Sequence, residues 1–381
     1  VQLHLNRYAY RNATAEDFFA SVGEASGNAA LVPALKSFTD QIGVPLVTVR
    51  DSAAGISLSQ SRYVPLGIAT DRMLRRWQIP LCLARGAGRA CTLLADGSAS
   101  VPPLAGAGAL MPNADGAGYY RFSLDAAGWD RLIAAAATLP EREAMVLADS
   151  LWAEFAAGRT DFGRVVRGAE ALSRHAARLP ALALASNLVM LGDTMLDAGQ
   201  LPAWRALLQR LYGQRAEMQG FDPAVLIADP KVQGWRESLV PVLALQARDP
   251  ALRARLKDAA SRYLAGDTAA LAAAYRRSAL AVLVQDGGTA AADRVFAALK
   301  ASDDPLLRAQ AASALGSVEG AGAIAHVQAL AMADGLISRE RTTILAALSF
   351  NRGARDANAD YVAANFRRVV ESFPGFARAS V

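Results

Sequence analysis

Three histidines, two cysteines and a few short glycine pairs are the residues of this 381-residue chain whose types and spacing could do chemistry. A protein metal site needs His, Cys or carboxylate side chains clustered at ligand spacing. His4, His175 and His326 lie far apart, and none has a second His or a Glu at ligand spacing on its own helix. Each reads as a single side chain on a helix surface or in a core, and no metal ligand is expected. Nucleophile chemistry fares no better, because there is no G-x-S-x-G elbow and neither cysteine has a nearby His. Gly86-x-Gly88, Gly106-x-Gly108 and Gly320-x-Gly322 lack the third glycine of a dinucleotide loop and the Gly-Lys-Ser/Thr of a P-loop, so all three read as turns. Arg72, Arg75 and Arg76, and again Arg276 and Arg277, read as solvated faces. No catalytic residue is expected, and no substrate-binding residue can be named.

Cys82 and Cys91 flank a Gly-containing turn in "IPLCLARGAGRACTLL". If the hairpin turns at Gly86-Ala87, the two stand directly opposite on paired strands, close enough to bridge. The alternative is a pair of reduced, half-buried thiols, and redox compartment decides between them. A bridge argues for a periplasmic or secreted parent, and a cytoplasmic one stays open.

The elements that must position these residues change along the chain. Residues 1–44 are helical: Thr14 is a plausible N-cap with Asp17 at the third helical position, followed by Phe18, Val22 and Ala25 at helical spacing. A second helix carries Leu31, Leu35 and Phe38 and ends at Gly43. From 45 to 124 the period shortens. "VPLVTVRD" and "GISLSQSRYV" alternate apolar with polar residues, as half-buried strands do. In "GYYRFSLD", Tyr120, Phe122 and Leu124 share one face and Tyr119, Arg121 and Ser123 the other. Short strands with Gly/Pro turns make a small antiparallel β-sandwich.

From 125 to 381 the chain reads as helix. Leu139-Pro140-Glu141 sets a proline at the first helical position. Trp204, Leu207, Leu208 and Leu211 share a face, as do Leu307, Ala311, Ala314, Leu315 and Val318. "DPALR" at 249–253 recurs as "DPLLR" at 304–308, each with Asp as N-cap. Paired amphipathic helices with a recurring start signal suggest an all-α, HEAT-like α-solenoid.

Totals bound the rest. A chain of 381 residues, 53% hydrophobic and 20% charged, has core enough for about two or three domains. A net charge of +5, with no Lys/Arg block, argues against nucleic-acid binding. No window approaches the apolar run of about 18 residues that a membrane span needs, and "ALALASNLVMLGDTML" (181–196) reads as a buried helix. The chain opens at Val1 in mid-helix, without a signal-like segment, and looks like a piece of something larger.

Several ordered motifs carry a resemblance. "LNRYAYRNATAEDFFASVGEASG" resembles the helices that end the catalytic domain of the gluzincin zinc aminopeptidases, the aminopeptidase N and puromycin-sensitive aminopeptidase family. "ALKSFTDQIGVPLVTV" is similar to that family's W-T-x-Q-x-G-x-P-x-V-x-V passage, with Phe38 in place of the Trp. "RRWQIPLCLA" matches its W-x-I-P-L strand. "MPNADGAGYYRFSLDAAGWDRL" matches its N-x-x-x-G-Y-Y-R junction, with Ser123-Leu124 where Asn-Tyr is usual. "LPEREAMVLADSLWAEFAAG" and "NADYVAANFRRVV" resemble the opening and closing of its helical domain.

The resemblance implies three parts: 1–44 as the C-terminal helices of the catalytic domain, 45–124 as a β-sandwich spacer, and 125–381 as a HEAT-like helical cap. It implies a parent that removes N-terminal residues from peptides with a zinc-bound water. The family's H-E-x-x-H helix, its G-x-M-E-N amine-binding loop and its transition-state Tyr are absent from this sequence. The chain as given is therefore expected to be catalytically silent, with no cofactor of its own and zinc in the parent. Its partners would be the N-terminal and catalytic domains of that parent and a peptide substrate. If the helical wall faces a peptide carboxylate, some of its arginines should point inward without salt-bridge partners, since Arg grips carboxylates bidentately. The alternative is a free-standing sandwich-plus-solenoid module that binds a protein or peptide.

Overall fold

The computed structural model describes residues 1–70, 73–215, 218 and 220–372; Arg72 lies outside the described residues. The chain forms two compact units, Val1–Ser186 and Asn187–Val381.

The first unit opens with helices α1 (Gln2–Arg7), α2 (Ala15–Ser26) and α3 (Leu31–Thr39). Thr14 caps α2 in a capping box: its side chain accepts from the Asp17 N–H while the Asp17 carboxylate accepts from the Thr14 N–H. On α2 the buried residues are Phe19, Ser21 and Gly23, while Ala25 is exposed. The inward face therefore lies one position round from the expected stripe.

Strands β1 (Pro45–Ser52), β2 (Gly55–Arg62), β5 (Ser98–Val101) and β6 (Arg121–Ser123) form one sheet in the order β5-β2-β1-β6. All its pairings are antiparallel except β1 with β6, which is parallel. β3 (Ile79–Arg85) and β4 (Gly88–Leu94) pair separately as a hairpin. Alternate residues point inward, and Val47, Val49, Ile56, Leu58, Ile79 and Leu83 share one core with Trp77 and Tyr120. Gly86 turns the hairpin at a φ of 53°, and Gly88 packs where a Cβ would lie 2.1 Å from the Ala105 carbonyl oxygen.

Helices α4 (Ala126–Ala135), α5 (Glu141–Ala156), α6 (Phe162–Leu172) and α7 (Arg178–Ala181) complete this unit. Polar contacts seat α5 on the strands. Ser123 Oγ donates to Glu154 Oε2 at 2.8 Å, and Tyr63 Oη to the Ala153 carbonyl at 3.2 Å. Ser123 is thus buried, as is Phe122 on the opposite face of the strand. Pro140 sits one residue ahead of α5, at its N-cap.

The second unit is helical among its described residues. α8 (Ala185–Thr194) runs across the boundary, followed by α9 (Leu201–Tyr212), α10 (Pro230–Pro241), α11 (Pro250–Leu264), α12 (Ala273–Ala301), α13 (Pro305–Leu315), α14 (Ala321–Ala331), α15 (Ser338–Phe350), α16 (Arg355–Ala364) and α17 (Phe366–Glu371). The run 181–196 is not one buried helix: α7 stops at Ala181, α8 starts at Ala185, and Met190 and Met195 are exposed. No helix among the described residues is long and apolar enough to cross a membrane.

The predicted apolar stripes on α9 and α13 are buried. Asp249 caps α11 and Asp304 caps α13, each followed by proline. Arg253 and Arg308, which end the two recurring motifs, pair with Asp286 and Glu340. α12 kinks at Gly288, whose φ is 56°. A π-turn at Val242–Gln246 follows α10, and two residues beyond it Arg248 is a non-glycine residue at a φ of 55°.

Candidate functional site

The histidines stay apart. Nδ1 of His175 accepts from the Ala177 N–H at 2.9 Å, so its proton sits on Nε2 and is donated to the Leu139 carbonyl, also at 2.9 Å. That is a saturated core histidine. Nε2 of His326 meets Asp293 Oδ1 at 2.6 Å, joining α14 to α12. Nδ1 of His4 meets Ser21 Oγ at 3.2 Å, but that hydroxyl donates to the Asp17 carbonyl at 2.7 Å. Among the described residues no group of three or more His, Cys, Asp or Glu could hold a metal ion, so the donor set that zinc requires does not fit these residues.

The hairpin brings Cys82 opposite Cys91, with Cα atoms 4.0 Å apart and the sulfurs joined as a disulfide. Gly86 and Gly106 occupy turns at positive φ, as does Gly108. Gly320 does something else: it is the N-cap of α14, and no side chain caps that helix. Of the arginines read as solvated, Arg276 is mostly covered. It pairs with Asp304 at 3.2 Å and lies over the Tyr263 ring. Its neighbour Arg277 is exposed.

The feature with chemical potential is a cavity of ≈ 680 Å³ within the second unit. It is assembled from helix ends: Gly192 and Asp193 of α8, Arg205 of α9, Arg248 beyond the π-turn, Arg277 of α12, Glu319 and Gly320 ahead of α14, and Arg352 after α15. Trp204, Ala281, Ala314 and Phe350 supply apolar lining, and Phe350 is 81% exposed. A helix's Cβ vectors tilt towards its N-terminus, and sequence distance conceals that these positions converge.

Four arginines face two carboxylates in this lining. Arg352 is used structurally, donating to the carbonyls of Gly192 (2.8 Å) and Leu196 at the end of α8. Arg248 is held by Glu319 through both guanidinium Nη atoms, one of them at 3.3 Å. Arg205 and Arg277 make no hydrogen bond or ion pair among the described residues. Burial lowers the Arg205 pKa, and the Arg248 charge lowers it further, against the opposing pull of Glu319. Burial also raises the Asp193 carboxyl, partly offset by Arg355 and Arg352. The arrangement can bind an anion: two guanidiniums with no hydrogen bond or ion pair among the described residues, beside an apolar shelf.

A small two-sheet region leads into helices, and the comparisons place the chain with the C-terminal part of M1 aminopeptidases. Residues 109–381 match the ERAP1-like C-terminal domain, and the chain belongs to that family. It is 29% identical over 90 residues to the puromycin-sensitive aminopeptidase of Caenorhabditis elegans, covering 23% of this chain and 9% of that protein. It is 29% identical over 84 residues to the probable M1 family aminopeptidase 1 of Encephalitozoon cuniculi, covering 22% and 9% respectively. The aligned stretches therefore span about a tenth of the length of these relatives.

The convergence of Arg205, Arg248 and Arg277 was invisible in the sequence, where only their types could be read.

Proposed function

We propose that this chain is the spacer and cap of a zinc-dependent aminopeptidase that removes N-terminal residues from peptides, and that it is catalytically silent alone. Residues 1–44 are the end of the catalytic domain, 45–124 the spacer and 125–381 a HEAT-like helical cap. The recurring Asp-capped helix with its ion-paired arginine supports the solenoid reading. Zinc is held by the parent's catalytic domain, outside this chain, and the parent's other domains are the partners of this one.

The observation that carries the functional reading is the cavity in which Arg205 and Arg277 make no hydrogen bond or ion pair among the described residues. A guanidinium fork fits a carboxylate bidentately, and a peptide's far end carries one. Phe350 and Trp204 offer an apolar surface beside it for the terminal side chain. By holding the distal end, the cap favours peptides long enough to reach from the cavity to the catalytic centre.

The test is titration of the chain with acetyl-Ala-Ala-Ala-Ala-Phe as the free acid and as the C-terminal amide. The acid should bind more tightly, and the doubly substituted Arg205→Ala, Arg277→Ala chain should lose the difference. Equal binding of acid and amide rejects the cavity assignment. For silence, the chain should release no aminoacyl-anilide and carry no stoichiometric zinc; turnover with bound zinc overturns it.

A further inference from the structure

Glu319 stands in the cavity where a ligand's carboxylate would compete with it. It pairs with Arg248 through both carboxylate oxygens, while Arg205 and Arg277 in the same lining make no hydrogen bond or ion pair among the described residues. Arg248 is fixed by unusual means. It follows a π-turn, sits in the left-handed region, and precedes Asp249, whose N–H bonds back to the Leu243 carbonyl while its side chain caps α11. Strained backbone and π-turns of this kind concentrate at functional positions. Glu319 approaches from the segment ahead of α14, whose N-cap Gly320 leaves the first turn uncapped by any side chain. The pair thus joins two backbone segments across one cavity, and both side chains keep solvent access, 28% and 41%.

From this geometry we infer that Glu319 is an internal competitor that tunes the site: it occupies Arg248 and weakens the cavity's grip on an incoming carboxylate. A ligand carboxylate lands on Arg205 and Arg277, and Glu319 withholds the third guanidinium and repels the ligand's charge. The specificity consequence is selection by charge. Monoanionic ends are accepted, and ends with a second carboxylate meet Glu319 and are disfavoured. The inference rests on the reading of the cavity as a carboxylate site.

The experiment is isothermal titration of the whole chain, wild type and Glu319→Gln, with acetyl-Ala-Ala-Ala-Ala-Phe acid, its amide, and acetyl-Ala-Ala-Ala-Ala-Glu acid. Glu319→Gln should bind the Phe acid about three- to tenfold more tightly, the reach of one charge in a part-exposed pair. Its gain for the dianionic Glu peptide should be larger, and its affinity for the amide unchanged. Glu319→Asp, which keeps the charge, should behave as wild type, and circular dichroism with thermal melting verifies folding of each variant. If wild type prefers acid to amide but Glu319→Gln shows no gain, the competitor role is wrong and the cavity assignment survives. If acid and amide bind alike in every variant, or neither binds, both ideas fall together.

Discussion

Arg253 and Arg308 make the same two kinds of contact in successive parts of the helical unit. Each donates Nη1 to a backbone carbonyl nine residues upstream, Ala244 at 2.8 Å and Leu299 at 2.9 Å. Each also pairs with a carboxylate on a later element, Asp286 for the first and Glu340 for the second. The motif read as a repeated helix start is therefore a repeated tie between neighbouring helices.

The second tie is the more buried at its acidic end, since the Glu340 side chain is 5% exposed. Arg308→Met would leave that carboxylate without its cation, keeping, among the described residues, the Ile337 N–H at 3.0 Å. Removing one partner of a buried pair costs about 3 kcal/mol. Urea unfolding should register that loss, and the double variant Arg308→Met, Glu340→Met should recover much of it.

Two buried tyrosines should respond oppositely to loss of the hydroxyl. Tyr120 Oη donates to the Pro112 carbonyl at 2.8 Å, and its burial pushes the phenol well above its ordinary pKa. Tyr212 Oη is buried with no hydrogen-bond partner among the described residues. Tyr120→Phe strands a buried carbonyl and should cost about 1–2 kcal/mol, whereas Tyr212→Phe removes an unpaired polar atom and should be neutral or stabilising. Denaturation midpoints of the two variants, compared with wild type, give the signs directly.

Asp304 ties charge to pH. Its carboxyl is held below the usual value, first by the Leu306 N–H at 2.9 Å and also by Arg276. A depressed folded pKa means stability that is complete above the unfolded value of 3.8 and is lost as pH falls through the lower folded one. Asp304→Asn should flatten the acid limb of the stability curve in that window and leave the slope near neutrality untouched. An unchanged acid limb in melts taken from pH 5 downward would count against this role for the cap.

The Cys82–Cys91 bridge closes a short loop, with nine residues of sequence separation. Constraining so small a loop is worth about 2 kcal/mol in the unfolded chain. Reduction with dithiothreitol, or Cys82→Ser with Cys91→Ser, should lower the melting temperature of the strand-containing unit by several degrees. A mass shift on alkylation before and after reduction tests the bridge itself.

Periodicity and caps were legible from the chain alone because they depend on neighbours within a few residues. Thr14 with Asp17, the prolines after Asp249 and Asp304, and the stripe through Trp204 and Leu211 each follow from helix geometry. The alternation in β1 and β2 follows in the same way from the pleat. The family was legible too, because ordered motifs survive as spacing. Where Arg276 was read as a solvated face, long-range partners were the cause of the difference: Asp304 and Tyr263 draw it inward.

The cavity belonged to tertiary structure alone. Its arginines come from α9, the segment after a π-turn, α12 and the turn after α15, and no interval in the sequence relates them. Which guanidinium is spent on a carbonyl, which is matched by Glu319 and which stays free depends on distances set by helix packing. Charge type is written residue by residue; charge balance is a property of volume, and only the packed chain defines the volume.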